Sequence, residues 1–251
     1  MSNFIRGFTG VLGAFGRISQ YGLWPYVFLT GLFGLIFGGL VFYSVYNWAG
    51  LFGDWMVSAY PFEWGSETIA KLSDYVGGSL MVIGGLLVFK YIILAVTSPV
   101  MSFVSEKVEY KLTGERQEGF SVTRMIGEFI RGIRLSISNL VKELFYLFCL
   151  FLLGVILPFL APFIGVISFL LQAFYAGFGS LDYYMERRFN VQESKYTARK
   201  HRWGVTGIGS GFLVILLIPV LGWILAPVLS TIAATEYAID QDIDSGFYET
   251  V

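Results

Sequence analysis

Lys90 stands inside the apolar run "VGGSLMVIGGLLVFKYIILAV", and Glu236 stands in "STIAATEYAID" near the end of another. Charge inside an apolar span is expensive, so such residues mark a solute pathway, a proton site or an ion pair. Glu236 is the expected partner of Lys90. The plainer readings are a lysine that snorkels to the nearest interface and a helix that has already left the lipid, since Asp240 follows. A third candidate is Gly22-Leu23-Trp24-Pro25. Proline there suits the first turn of a helix, and free N–H groups at the positive helix end suit an anion. A helix cap with an interfacial tryptophan anchor accounts for the same residues. Arg17, shortly upstream, adds positive charge to that corner or meets lipid phosphates.

Other chemistry is poorly provided for. One histidine, His201, and one cysteine, Cys149, leave no metal-ligand cluster. No Ser-His-Asp order, phosphate loop or nucleotide fingerprint stands out. No enzyme activity, cofactor or metal is therefore expected, and a net charge of −1 gives no nucleic-acid signature. His201, in "ARKHRWG", is expected at the lipid headgroups with Trp203. Glu106 and Glu109, interleaved with Lys107 and Lys111, read as a solvated helix face without chemistry.

The elements that must carry these residues are membrane helices. Of 251 residues, 55% are hydrophobic, 18% aromatic and only 14% charged, against roughly 25% charged in soluble domains. One membrane domain over residues 1–251 is expected, with the lipid bilayer as its first partner. The N-terminal stretch, with Arg17 and several glycines, makes a poor signal peptide. It places Phe4, Ile5, Phe8, Val11, Leu12, Phe15 and Ile18 at helical spacing, which predicts an interfacial amphipathic helix over 1–20. Transmembrane helices are predicted over 22–48, whose clean apolar run begins at Tyr26, and over 76–96. Each offers about 20 residues for a hydrocarbon core of about 30 Å. Cytoplasmic helices are predicted over 97–140.

Two further apolar regions, 144–181 and 205–239, are interrupted. The first contains Pro158, Pro162 and Gly165; the second contains Pro219, Gly222 and Pro227. Proline removes a donor and clashes with the preceding turn. Most of the resulting arms fall short of the length of a crossing. Each region is therefore expected to fold back as a re-entrant hairpin, whose broken backbone must be buried in protein or face a water-filled cavity. Four Pro-kinked crossings with tight turns at the far surface are the alternative.

Charge sets the orientation. Asp54, Glu63, Glu67 and Asp74 outweigh Lys71 in the expected loop 49–75, whereas 97–142 and the segment between the hairpins are rich in Lys and Arg. By the positive-inside rule the basic segments, both hairpin bases and both termini face the cytoplasm.

"SPVMSFVSEKVEYKLTG", "LPFLAPFIG", "LDYYMERR" and "LIPVLGWILAPVLSTIAAT" occur in the order and spacing of the CysZ-type sulfate permeases, and "YGLWPYVFLTGL" falls where those proteins begin their first span. The chain resembles that family, whose superfamily includes the etoposide-induced membrane proteins. The resemblance implies an all-α fold of two long transmembrane helices plus two hemi-penetrating hairpins. It also implies a homo-oligomer in the bacterial inner membrane and proton- or anion-linked sulfate uptake for sulfur assimilation. One departure matters. The family's anion-binding arginines follow the Gly-Leu pair, and here Trp24 and Pro25 stand there. A dianion thus loses its best bidentate donors.

Two functions follow as expectations. The first is a permease or channel for a small inorganic anion, sulfate by resemblance. The second is a non-transporting membrane scaffold or stress-related protein. A polar path decides between them. The residues available to line one are few: Ser44, Asn47, Thr97, Ser98, Gln172, Ser180, Ser230, Thr231 and Thr235.

Overall fold

The computed structural model describes residues 2–59, 82, 84–114 and 121–243, and these form helices joined by turns. Helix α1 (Ser2–Gln20) ends in a turn at Gly22, whose φ of +66° favours glycine. Helix α2 (Trp24–Ala59) follows, 36 residues long. It outruns the expected end at Trp48, so the backbone of 49–59 is helical rather than looped. The acidic positions Glu63, Glu67 and Asp74, with Lys71, lie outside the described residues, as does most of 76–83.

Helix α3 (Gly84–Val96) bends by 63° into α4 (Ser98–Thr113). Pro99 permits the bend, because proline fits a first helical turn but cannot continue the preceding helix. Helix α5 runs unbroken over Val122–Ile156, with the Ser121 side chain as its N-cap. The cytoplasmic helix expected to end near residue 140 and the hairpin arm expected from 144 are therefore one element. Nothing around Val141 breaks a helix, and the charge of Glu143 is neutralised locally, as described below.

A 3-10 turn (Pro158–Leu160) leads into α6 (Ala161–Met185), with Pro162 in its first turn. Helix α7 (Val191–Lys200) starts at a capping box made by Asn190 and Glu193. Helices α8 (Arg202–Leu216) and α9 (Leu221–Asp240) complete the described chain.

Four of these helices are long and apolar enough to cross a bilayer, or five if the bent pair α3–α4 forms one span. The protein is thus an all-α, multi-pass membrane protein. The expected shortness of the hairpin arms holds for α8, with 15 residues, but not for α6, with 25, or α9, with 20. At about 1.5 Å per residue the last two reach about 30 Å or more.

Pro227 does not break the second region either. It lies within α9. Its missing N–H leaves the carbonyl of Trp223 without a helical donor, and Gly34 of α2 packs against that oxygen so closely that a Cβ there would lie 2.7 Å from it. A Cα–H···O contact fits this approach. The true break is Leu217–Val220, where Leu221 N donates to Pro219 O at 2.7 Å across Val220 at φ 65°, ψ −62°. This is a γ-turn of the rare, strained hand, on a β-branched residue. Relief of strain of about 1–3 kcal/mol, less about 0.5–1 kcal/mol for glycine's extra freedom, should make Val220→Gly stabilising. A lower thermal midpoint in detergent would show that the turn is not strained.

The glycines of α8 set the core. A Cβ at Gly207 or Gly211 would strike α1, one at Gly209 would strike α6, and one at Gly204 would strike Tyr237 of α9. Close helix approach through small residues is how membrane helices gain dispersion energy. Helix α1 belongs to this core. Val11, Ala14 and Ile18 are wholly buried, while Ile5, Leu12 and Phe15 stay exposed. It is docked on protein along one face rather than lying free at the interface.

Candidate functional site

Among the described residues, the ion pairs gather into three sites. In the first, Lys90 Nζ lies 2.7 and 2.8 Å from the two oxygens of Glu143, and Tyr91 donates to the same carboxylate. The lysine is 1% exposed and the glutamate 0%. The expected pairing of Lys90 with Glu236 is therefore corrected. At Lys90 helix α3 meets α5, whereas the neighbouring Phe89 packs on Trp223 at the start of α9, more than three turns from Glu236. Lys90 and Gln172 are also the polar groups lining a cavity of about 200 Å³ walled by leucines and Phe169.

In the second site Arg17 pairs with Glu236, whose other oxygen accepts from Tyr21 at 3.0 Å. Burial, with the Glu236 charge behind it, pushes the Tyr21 hydroxyl up to about 12. Arg6 and Asp240 add an exposed pair one turn further along. These bonds tie α1 to α9. The Gly22-Leu23-Trp24 corner abuts this site. Its amides are largely engaged: Gly22 N donates to Ser19 O, and Leu23 N to Ile18 O. Pro25 has no N–H to offer an anion. The Trp24 indole donates to Ser19 Oγ at 2.9 Å. The positive charge brought here by folding is Lys107 of α4, whose Nζ donates to Gly22 O at 2.9 Å.

The third site lies between α4, α5 and the end of α6. Arg124 bonds Glu106 and Glu128. Arg131 holds Asp182 by two bonds, of 2.7 and 3.0 Å, and also donates to Phe189 O and Ser194 Oγ. Arg187 and Arg188 both bond Glu109. Glu106 and Glu109 are 7% and 6% exposed, so they do not form the solvated face that their spacing suggested. Arginines from two other segments reach them, which no spacing within α4 could reveal. Glu143, Glu128, Asp182 and Glu186 were missed for a related reason. Glu143 and Glu186 sit beside Lys142 and Arg187 and read as helix edges, Glu128 pairs with Arg124 at i,i+4 spacing within α5, and Asp182 finds Arg131 only through the fold. His201 is half-buried, edge-on to Tyr237 at 6.3 Å, and burial lowers its pKa; Trp203 is exposed.

Of the polar residues considered for a path, Ser44 and Asn47 bond carbonyls of their own helix and are exposed. Thr97, Ser98, Ser180, Ser230, Thr231 and Thr235 are buried. Ser180 bonds Ser230 at 2.9 Å, joining α6 to α9. Thr235 donates to Ser105 at 2.9 Å, and Arg187 donates to the same hydroxyl at 3.1 Å. A hydrogen-bonded line thus runs from within α9 to the arginine cluster.

Buried ion pairs, glycine-packed helices and an apolar outer surface define a polytopic membrane protein. Residues 11–227 match the profile of the sulfate transporter CysZ/etoposide-induced protein 2.4 family, and the chain belongs to that family. No curated protein matches it significantly.

Proposed function

We propose that this protein is a permease or channel for a small inorganic oxyanion, with sulfate, which its family's description names, as the first candidate. The observation that carries the reading is the buried line Thr235–Ser105–Arg187. Unpaired hydroxyls in apolar surroundings are costly, and hydroxyls both donate and accept, so they can hand on an oxyanion as well as each other. Lys107 beside Gly22 forms the entry corner, with Arg17 behind it. The Pro/Gly-interrupted helix pairs α5–α6 and α8–α9 are read as hairpins based on the cytoplasmic side, with both termini there and the protein in a bacterial inner membrane. The exposed faces of α2 and α5, including Phe28, Phe42, Phe145 and Phe151, suit lipid and further copies of the chain.

Radiolabelled sulfate flux into proteoliposomes containing the full chain tests this. Selenate and thiosulfate should compete, and chloride should compete weakly. The Trp24→Arg, Pro25→Arg variant should bind sulfate more tightly than wild type, since each charge-assisted hydrogen bond contributes roughly 1.5–3 kcal/mol before desolvation. Lys107→Ala should weaken binding. If neither wild type nor the double variant binds or moves sulfate, the transport reading fails and a scaffold role replaces it.

A further inference from the structure

Two buried carboxyl oxygens in the third site have no donor. Glu128 Oε1 accepts from Arg124 Nε at 2.7 Å and Ser102 Oγ at 3.0 Å, but Glu128 Oε2 has no hydrogen-bond partner. Glu186 Oε1 has none either. Glu128 and Glu186 line one cavity of about 270 Å³, with Arg124, Gly127, Arg131 and Arg187. The guanidiniums there are directed elsewhere: Arg124 to Glu106 and Glu128 Oε1, Arg131 to Asp182, and Arg187 to Glu109, Ser105 and Tyr183 O.

We propose that Glu186, with Glu128 across the cavity, is a proton-binding site: Glu186 holds one proton at neutral pH and exchanges it through this cavity.

A buried acceptor with no donor is costly, and protonation turns a carboxylate from acceptor-only into a donor. The charge balance points the same way. The described acids of the cluster are Glu106, Glu109, Glu128, Asp182 and Glu186; the described bases bonded within it are Arg124, Arg131, Arg187 and Arg188. One proton closes that difference. The groups facing Glu186 are Ser102 of α4, Glu128 and Arg131 of α5, and Arg124, which lines the same cavity. Asp182 at the end of α6 and Arg187 beyond it complete the set, and Glu193 of α7 acts on Arg131. Burial first, then the Asp182 and Glu128 charges, hold the Glu186 carboxyl well above the usual carboxylate range. A metal cation would meet three guanidiniums at the cavity wall, so the proton is the ligand assigned. The site stands independently of the transport reading.

The test is infrared difference spectroscopy on the full-length protein in lipid nanodiscs, paired with thermal stability against pH. At neutral pH the wild type should show a protonated-carboxyl carbonyl band that Glu186→Gln removes. Glu128→Gln should shift the titration of that band to lower pH, because a neighbouring charge is gone. The linkage sign is fixed: a carboxyl raised in the folded state stabilises fully below its unfolded pKa. That stability is lost as pH rises toward the folded value, by up to about tenfold in the folding equilibrium per pH unit. Glu186→Gln should flatten that dependence. Glutamine mimics the protonated form, so a Glu186→Gln variant that fails to fold overturns the proposal, as does a neutral-pH band unchanged by the substitution.

Discussion

Replacing Lys90 by Met alone should destabilise the protein by about 3–5 kcal/mol, and adding Glu143→Leu should recover most of that loss. Lys90 bonds both oxygens of Glu143, Tyr91 bonds the same carboxylate, and solvent reaches almost none of it. Removing the cation leaves an anion in an apolar bundle without its counter-charge. Removing both leaves two apolar side chains of similar length in lipid-like surroundings, an exchange that is often neutral or favourable. Chemical denaturation in a fixed detergent, read by size exclusion, would measure both. A snorkelling lysine predicts the opposite pattern: a mild single effect and no rescue. The pair also joins α3 to α5, so the single variant should loosen that contact first.

What could be read from the sequence follows from the range of each interaction. The apolar stripe of α1, the stop at Pro158 and the boundary between the span ending at 96 and the helix after it arise within a turn or two of the residues responsible, so local pattern revealed them. The continuity of α9 through Pro227 depends on Gly34, nearly 200 residues away in the chain, packing on the freed Trp223 carbonyl. The continuity of α5 depends on Lys90 neutralising Glu143. In the candidate sites, Lys90, Arg17 and Glu236 were legible because charge in an apolar run is conspicuous, but their partners were not. Lys90 and Glu236 each had one obvious opposite charge in the sequence, and each found another in the fold. Glu106 and Glu109 were misread because i,i+4 spacing describes one helix alone, whereas Arg124, Arg187 and Arg188 come from outside α4.

Gly209→Val should abolish the folded protein, whereas Gly165→Ala in the facing helix should be tolerated or mildly stabilising. Helices α6 and α8 meet at Gly177 and Gly209. A Cβ on Gly209 would lie 1.7 Å from Ala173 O, and a Cβ on Gly177 would lie 1.9 Å from Val205 O. Those obstacles are backbone atoms in the middle of helices, so no rotamer change can clear them. The helices must separate. Separation would also strip contacts from Ala173, Ala176, Ile208 and Phe212, all wholly buried. Ordinary overpacking costs about 1–3 kcal/mol; a forced gap between two backbones lies beyond that range, since even a gap of 0.5–1 Å forfeits about a quarter to a half of each dispersion well. A Cβ on Gly165 meets nothing within 4 Å, so alanine there brings only its helix propensity, about 0.8–1.0 kcal/mol over glycine. Monodisperse yield on size exclusion and the heat midpoint of each variant decide the matter. Equal loss from both substitutions would mean that the loss does not come from the close approach of the two backbones. Equal tolerance would mean that α6 and α8 do not touch at this pair, and the glycine spacing of α8 would then need another cause.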